Sequence, residues 1–367
     1  LDLSSTDGFQ VEWAVSTLHN GKASIPKATS VRILKYILRI VAVAALALLV
    51  WEVILENSVL REPGGVNSPI LGRIMKPGIY LQGTEGYCKT WINSLGMRGA
   101  EILPKTAAEY RILMLGDSHT EALQVSDDKT FVHLLQTKLA QNTGREIRTI
   151  NAGRNGASPA YYIHLSNFYH SFMDPDYVMI EINEDFTTHI LDETREFYVK
   201  KEGAEYVTVT NFRDYYIWQM FPPLKIIKPF VAFSTFKIAL DKIPMMLEQH
   251  RNHRASAGQE CTPAVDYADI IDWTLKTLKN DYPGMAILYL ALNKSESNVE
   301  ALLKSSANKY GIDLLNMRDA LSYYYQSHCQ PVDGFYNTMP GTGHINEIGH
   351  TIVADCLADY FMRKVLR

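Results

Sequence analysis

Cysteine is scarce and unpatterned in this sequence. Four residues, Cys88, Cys261, Cys329 and Cys356, are spread over 367 positions. None forms a Cys-x-x-Cys pair and none stands at zinc-like spacing from histidines, so the chain encodes neither a redox dithiol nor a structural zinc site. No metal and no organic cofactor is expected. Cys356, in VADCLADYF, reads as a small core residue. Cys261 and Cys329 lie in loop-like sequence and are the candidate disulfide pair, with free buried thiols the equal alternative. An excess of one charge is lacking as well. Lys and Arg number 36 against 40 Asp and Glu, a formal net charge of -4, so no basic field recruits nucleic acid. No internal repeat, heptad run or low-complexity tract is present, which excludes solenoids and long coiled coils. What remains is 47% hydrophobic and 21% charged, the balance of a globular protein with a core. The length suits one large domain with appendages, or two domains.

Long apolar runs are also absent, with one exception. Residues Ile40 to Trp51 are uninterrupted by charge, AVAALALLVW at their heart. A membrane span needs roughly 20 residues. Arg39 and Lys35 on one side and Glu52 and Glu56 on the other extend the run by snorkelling, giving a helix over about 33–55. Lys22, Lys27, Arg32, Lys35 and Arg39 precede it and the two glutamates follow, so the positive-inside rule puts the N-terminal segment, 1–32, in the cytoplasm and the rest outside. A cleaved signal peptide and an amphipathic surface helix are the rival readings. The first lacks a small-x-small cleavage site after the run.

Residues 56–107 are rich in Gly, Pro and turn signals and read as an extended juxtamembrane segment with a few short strands. From 108 the pattern changes. YRILMLG (110–116), IRTINAG (147–153), DYVMIEI (176–182), MAILYLAL (285–292) and GIDLLNM (311–317) are apolar strands. Helical spacing occupies 127–141, 158–172, 265–282, 296–310 and 345–366. Apolar strands alternating with helices predict a three-layer α/β/α sandwich around a flavodoxin-like parallel sheet of five strands. In such sheets, sites form at the carboxyl ends of the strands. Residues 186–262 interrupt the alternation. This insertion is aromatic over 197–232 and basic-polar after it, and reads equally as a lid or binding surface and as a structural subdomain or partner-docking patch.

The strand ends carry the chemistry. The first strand runs into Gly116-Asp117-Ser118-His119-Thr120. A serine at a strand-to-helix turn projects its hydroxyl at the sheet edge, beside backbone N–H groups able to hold an oxyanion. The second strand ends in NAGRNG (151–156) and the third in EINEDF (181–186), where Asn183 and Asp185 share one side of the continuing strand. GTGHINEIGH (341–350) precedes the last helix. A histidine there, His344, is placed to reach a serine at the first strand end and to act as its base.

These four blocks, in this order, resemble the SGNH (GDSL-type) hydrolase family. GDSHT is similar to its serine block and NAGRNG to its glycine block, which implies Gly156 as an oxyanion donor. EINEDF stands at its asparagine block, implying Asn183 or Asp185. GTGHINEIGH looks like its closing Asp-x-x-His block. With the upstream INSLGMRGAE, the stretch YRILMLGDSHTEALQVSDDKTF resembles a bacterial branch with an N-terminal membrane helix. The chain departs from the pattern twice. Gly341 stands where the family has its acid, and Asp333 in QPVDGFYN, or a backbone carbonyl, is the candidate replacement. Ungapped alignment puts Asp185 at the family asparagine, whereas a shift of two puts Asn183 there. The resemblance implies a membrane-anchored, extracytoplasmic ester hydrolase or O-acyltransferase on an acylated envelope glycan or a lipid, with Ser118 and His344 as the catalytic pair. Two other readings stand beside it: a catalytically degenerate accessory subunit docked to a membrane complex, and a glycan-binding module.

Overall fold

The computed structural model describes residues 27–56, 65–82, 85–211, 267–292 and 296–367. Helix α1 (Lys27–Glu56) comes first. Within it Val31–Trp51 is long and apolar enough to cross a membrane or to serve as a signal sequence, and none of it is buried against the protein. Four short strands follow: β1 (Gly65–Ser68) pairs antiparallel with β2 (Gly72–Met75), and β3 (Gly78–Gln82) with β4 (Cys88–Ile92).

The sheet expected from the sequence is present. Its strands are β5 (Glu109–Gly116), β6 (Glu146–Gly153), β7 (Tyr177–Ile182), β10 (Met285–Tyr289) and β11 (Asp313–Asn316). They lie in the order β11-β10-β7-β5-β6 with every pairing parallel. In order of occurrence this is 2-1-3-4-5, the flavodoxin-like arrangement. Side chains alternate along each strand, so β5 sends Leu113 and Leu115 to one face and Ile112 and Met114 to the other, all fully buried. Helices α4 (Pro159–His164), α6 (Ala268–Asp281) and α7 (Asn298–Lys309) cover the first face. Helices α3 (Phe131–Thr143) and α9 (Glu347–Tyr360) cover the second.

Several expectations shift in detail. The helix expected over 158–172 is broken into α4, a single turn at Ser166–Phe168 and a widened turn at Tyr169–Met173 that buries Tyr169 and Met173. Helix α8 (Arg318–His328) was not expected, because only Arg318 and Leu321 of it are buried and its apolar pattern is faint. The insertion opens with helix α5 (Phe186–Leu191) and the hairpin of β8 (Phe197–Glu202) and β9 (Glu205–Thr210). The rest of it, including Cys261 and most of the aromatic run, lies outside the described residues. Among those described, Cys88, Cys329 and Cys356 are free thiols, and Cys356 is half-buried rather than fully in the core.

The largest departure concerns the segment expected over 56–107. Its described residues, 65–82 and 85–107, form strands, but they are not an extended tether; they pack on the α/β unit. Arg98, 4% exposed, is the fastener. Its guanidinium donates to the Glu121, Ala122 and Val125 carbonyls and pairs with Asp127 at 2.7 Å. Those carbonyls belong to α2 (Ser118–Glu121) and the turn after it, so the upstream segment is bolted to the strand end that carries Ser118. Arg111, 1% exposed, makes a second bolt through Glu109 and the Leu103 and Met173 carbonyls.

β6 and α2 approach so closely that a Cβ on Gly153 would lie 2.3 Å from the Glu121 backbone nitrogen and 2.6 Å from the Thr120 carbonyl carbon. Backbone on both sides leaves no room for relief. Gly153→Ala is therefore expected to destabilise the protein by about 1–3 kcal/mol, the range for overpacked cores. Thermal unfolding against wild type is the check, and an unchanged melting temperature would contradict the close approach.

Candidate active site

α2 begins at the end of β5. Asp117 caps it, its Oδ1 accepting from the His119 N–H at 2.8 Å. The cap leaves Ser118 at the first helical position, with its own N–H free of partners among the described residues. The Asp117 N–H donates to Glu181 Oε2 at 2.9 Å, and Thr120 Oγ1 donates to the same atom at 3.2 Å. Burial, reinforced by the Asp117 charge, pushes the Glu181 carboxyl far above the ordinary range. Asn151 joins from β6, donating to the Thr120 carbonyl at 2.7 Å. The turn that carries Ser118 is thus held from both neighbouring strands.

His344 arrives on the loop before α9. The loop is shaped by an antiparallel bridge between Asp333 and Ile345 and by a hydrogen bond from the Gly334 N–H to the His344 carbonyl, 2.9 Å. Asn346 caps α9 through the Ile348 and Gly349 N–H groups and ties the loop base through the Pro331 and Gly334 carbonyls. His350, the second histidine of GTGHINEIGH, is a core residue: its Nδ1 accepts from the Phe131 N–H at 3.2 Å, and burial drives its pKa well down.

The structure brings Ser118 and His344 together across 226 residues of chain: Ser118 Oγ lies 2.8 Å from His344 Nε2. Behind the ring stands Glu85, which the sequence reading missed. Its Oε2 is 2.6 Å from His344 Nδ1, and its Oε1 accepts from the His344 backbone N–H at 2.9 Å. Glu85 lies between β3 and β4 and is clamped there. The Asn337 side chain accepts from the Gly86 N–H at 2.8 Å and donates to the Gly86 carbonyl at 3.3 Å. Tyr87 stacks on Tyr336 with ring centroids 5.4 Å apart. Partial burial acts to raise the Glu85 pKa, but hydrogen bonds from the His344 ring and backbone and the nearby imidazoles outweigh it, holding the carboxyl below its ordinary value.

This corrects the expectation for Asp333. Its carboxyl interacts with its own backbone amide, burial raises its pKa, and it makes no bond to the imidazole. Nor does a backbone carbonyl hold the ring. The asparagine block is also arranged differently from expectation. Asp185 is exposed, and its carbonyl accepts from Thr188 and His189 at the start of α5. Asn183 gives its side-chain N–H to the Asp117 carboxylate and accepts from the Asp185 N–H. Asn183 lines a small separate cavity with Asp117 and Glu181, and neither residue lines the cleft of Ser118. Gly156 sits in the turn after β6 with φ +72°.

A second imidazole lies close by. The His119 ring centroid is 4.9 Å from that of His344. Burial depresses its pKa to about 4, only partly opposed by Asp117. The cleft over Ser118 holds about 500 Å³. Ile74, Met75, Leu95 and Met97 of the upstream segment give it apolar lining. Glu121, whose carboxyl burial raises to about 7, also lines it. No group of three or more potential metal ligands occurs among the described residues.

No protein-family model matches this chain, and no curated protein matches it. Solved structures similar to it include a two-domain esterase active on acetylated mannans (14% identity, 71% of this chain and 50% of that one, TM-score 0.40). The chain thus spans half the length of that protein. An acetyl xylan esterase from Geobacillus stearothermophilus (14% identity, 70% and 97%, TM-score 0.39) and a psychrotrophic esterase from Pseudoalteromonas sp. (13%, 70% and 99%, TM-score 0.38) are also similar. Likeness at this level says nothing of activity, which has to be read from the site itself.

The Glu85–His344 contact has a pH signature. The folded-state pKa of Glu85 lies below its unfolded value of 4.5, so its contribution to stability is complete above that pH and is lost as pH falls through the folded value. Glu85→Gln is expected to melt below wild type at pH 7, by about 2–4 °C for each kcal/mol lost. The gap narrows as pH falls below 4.5. Melting curves at several pH values check this, and a gap that widens in acid would contradict it.

Proposed function

We propose that this chain is a serine esterase or O-acyltransferase of the SGNH type, working through a Ser118–His344–Glu85 triad. The observation that carries the reading is the continuous hydrogen-bonded line from serine hydroxyl to imidazole to carboxylate, 2.8 and 2.6 Å, at the carboxyl end of β5. A serine hydroxyl is a poor nucleophile until a base takes its proton. His344 Nε2 is at hydrogen-bonding distance for that transfer. Glu85 keeps the proton on Nδ1, which leaves Nε2 as the acceptor, and stabilises the imidazolium that forms. Ser118 Oγ then attacks the acyl carbonyl, the imidazolium protonates the departing alkoxide, and an acyl-serine remains. Water deprotonated by His344 completes hydrolysis; a sugar hydroxyl in its place completes transfer. No step calls on a cofactor.

α1 anchors the protein in the membrane, with the N-terminal segment cytoplasmic and the α/β domain outside. The substrate is an acylated envelope glycan or a lipid, a reading supported by the family resemblance and the outward placement. The alternative of a degenerate accessory subunit rests on Glu52, the aromatic run over 197–232, the altered asparagine block and the missing acid at Gly341, and Glu85 answers the last of these from another part of the chain.

Hydrolysis of a short-chain ester such as p-nitrophenyl acetate by the purified full chain is the test. Ser118→Ala is expected to abolish turnover. Glu85→Gln, which keeps the shape but not the charge, is expected to lower kcat by about 10²–10⁴-fold, while Asp333→Asn leaves it unchanged. Turnover insensitive to Ser118→Ala, or lost in Asp333→Asn and kept in Glu85→Gln, would refute the assignment.

A further inference from the structure

A second cavity neighbours the cleft of Ser118. It holds about 310 Å³, at the lower end of the roughly 300–1,000 Å³ usual for small-ligand sites. Arg154, Asn155, Tyr161 and Glu196 line both spaces, so the two adjoin. Gly156 lines the second cavity and not the cleft. The turn after β6 supplies one part of its lining. The start of the insertion, between α5 and β8, supplies another through Asp192 and Arg195.

The charged groups of this cavity are committed to one another. Arg154 pairs with Glu196 and donates to the Leu71 carbonyl at 2.7 Å. Glu196 also accepts from the Arg73 N–H at 3.1 Å. Arg195 lies 3.3 Å from the Asp192 carboxylate and donates to the Gly156 carbonyl. The charges cancel in pairs, and an anionic ligand finds no net field to hold it. What is left is neutral. The Asn155 carboxamide has no partner among the described residues. Ser158 is 3% exposed, and its hydroxyl has no partner either. Buried hydroxyls are ordinarily bonded. This one stands just before α4 but caps no amide there. A single staggered turn about its side-chain bond presents such a hydroxyl to the space its residue lines. Aromatic lining comes from Tyr161 and Phe197, whose rings meet edge-on with centroids 5.0 Å apart.

Neutral hydrogen-bonding groups beside ring surfaces suit a ligand with hydroxyls at its rim and C–H groups on its faces, as a pyranose has. An acyl chain is better matched by Ile74, Met75, Leu95 and Met97 in the cleft. We propose that the second cavity is the subsite for the alcohol part of the ester, a neutral pyranose, with Asn155 and Ser158 hydrogen-bonding its hydroxyls. The inference rests on the esterase reading and deepens it, choosing a glycan over a lipid. It also gives the start of the insertion a task, which is to hold the leaving sugar next to the cleft.

The test compares mono-O-acetyl methyl glycosides of glucose, mannose, xylose, N-acetylglucosamine and glucuronate with ethyl and hexyl acetate, all as substrates of the full chain. At least one neutral glycoside is expected to exceed ethyl acetate in kcat/KM by about tenfold, as two neutral hydrogen bonds allow. Ser158→Ala and Asn155→Ala are each expected to lower that preference by about 3–10-fold, with the loss falling on KM more than on kcat. Thermal unfolding separates this from a structural effect. Ser158→Ala removes a hydroxyl that bonds to nothing, so its melting temperature does not fall. The proposal is overturned if no neutral glycoside is preferred to ethyl acetate, or if hexyl acetate or the glucuronate ester is preferred to all of them. It is overturned equally if the preference survives both substitutions, or is lost only together with thermal stability. Hydrolysis of p-nitrophenyl acetate that disappears in Ser118→Ala keeps the esterase reading standing through any of those results, whereas no such hydrolysis by wild type overturns both.

Discussion

The contact on which the site depends is the pair of hydrogen bonds between Glu85 and His344, 259 residues apart in the chain. One oxygen holds the imidazole and the other holds the backbone that carries it. A ring fixed at Nδ1 alone still swings about its own side-chain bonds. With its backbone amide held by the same carboxylate, the ring has one orientation, and that orientation points Nε2 at Ser118. Exchanging a carboxylate–imidazole pair for contacts with water costs more here than at an open surface, because both groups are largely screened from solvent.

The carboxylate is in place only because the upstream segment is part of the fold. Arg98 spends its donors on carbonyls in and just after α2 and on Asp127. A buried guanidinium without those partners would be strongly unfavourable, so the segment docks as a unit or not at all. The same segment supplies the apolar wall of the cleft. The α/β unit contributes Ser118 and His344, and the segment before it contributes Glu85 and much of the lining of the cleft. A boundary drawn at residue 108 therefore divides the site.

The legible and illegible parts of this protein separate on physical grounds. The five strands of the sheet are continuous apolar runs such as YRILMLG, and burial on both faces is what such runs encode. Ser118 and His344 were legible because strand ends in a parallel sheet converge at one edge, so two distant motifs are brought together by topology. Glu85 was not. It sits among turn residues with no periodic pattern around it, and nothing in spacing links it to His344. The INSLGMRGAE block was noticed, but the role of Arg98 within it depends on carbonyls, which every residue has and no sequence distinguishes. Asn183 and Asp185 share a face only if the strand runs on, but β7 ends at Ile182, Asn183 turns to Asp117 and Asp185 starts α5. Asp333 lay in the expected loop, but the bridge to Ile345 turns it toward its own backbone.

The separation of Glu85 from His344 has a bearing on how the protein comes into being. Synthesis runs from the N-terminus, so the acid is made early, the serine shortly afterwards, and the imidazole only when the final helix is about to emerge. On the proposed triad, the hydroxyl at residue 118 has no base until then, so this order of assembly withholds reactivity from every shorter product.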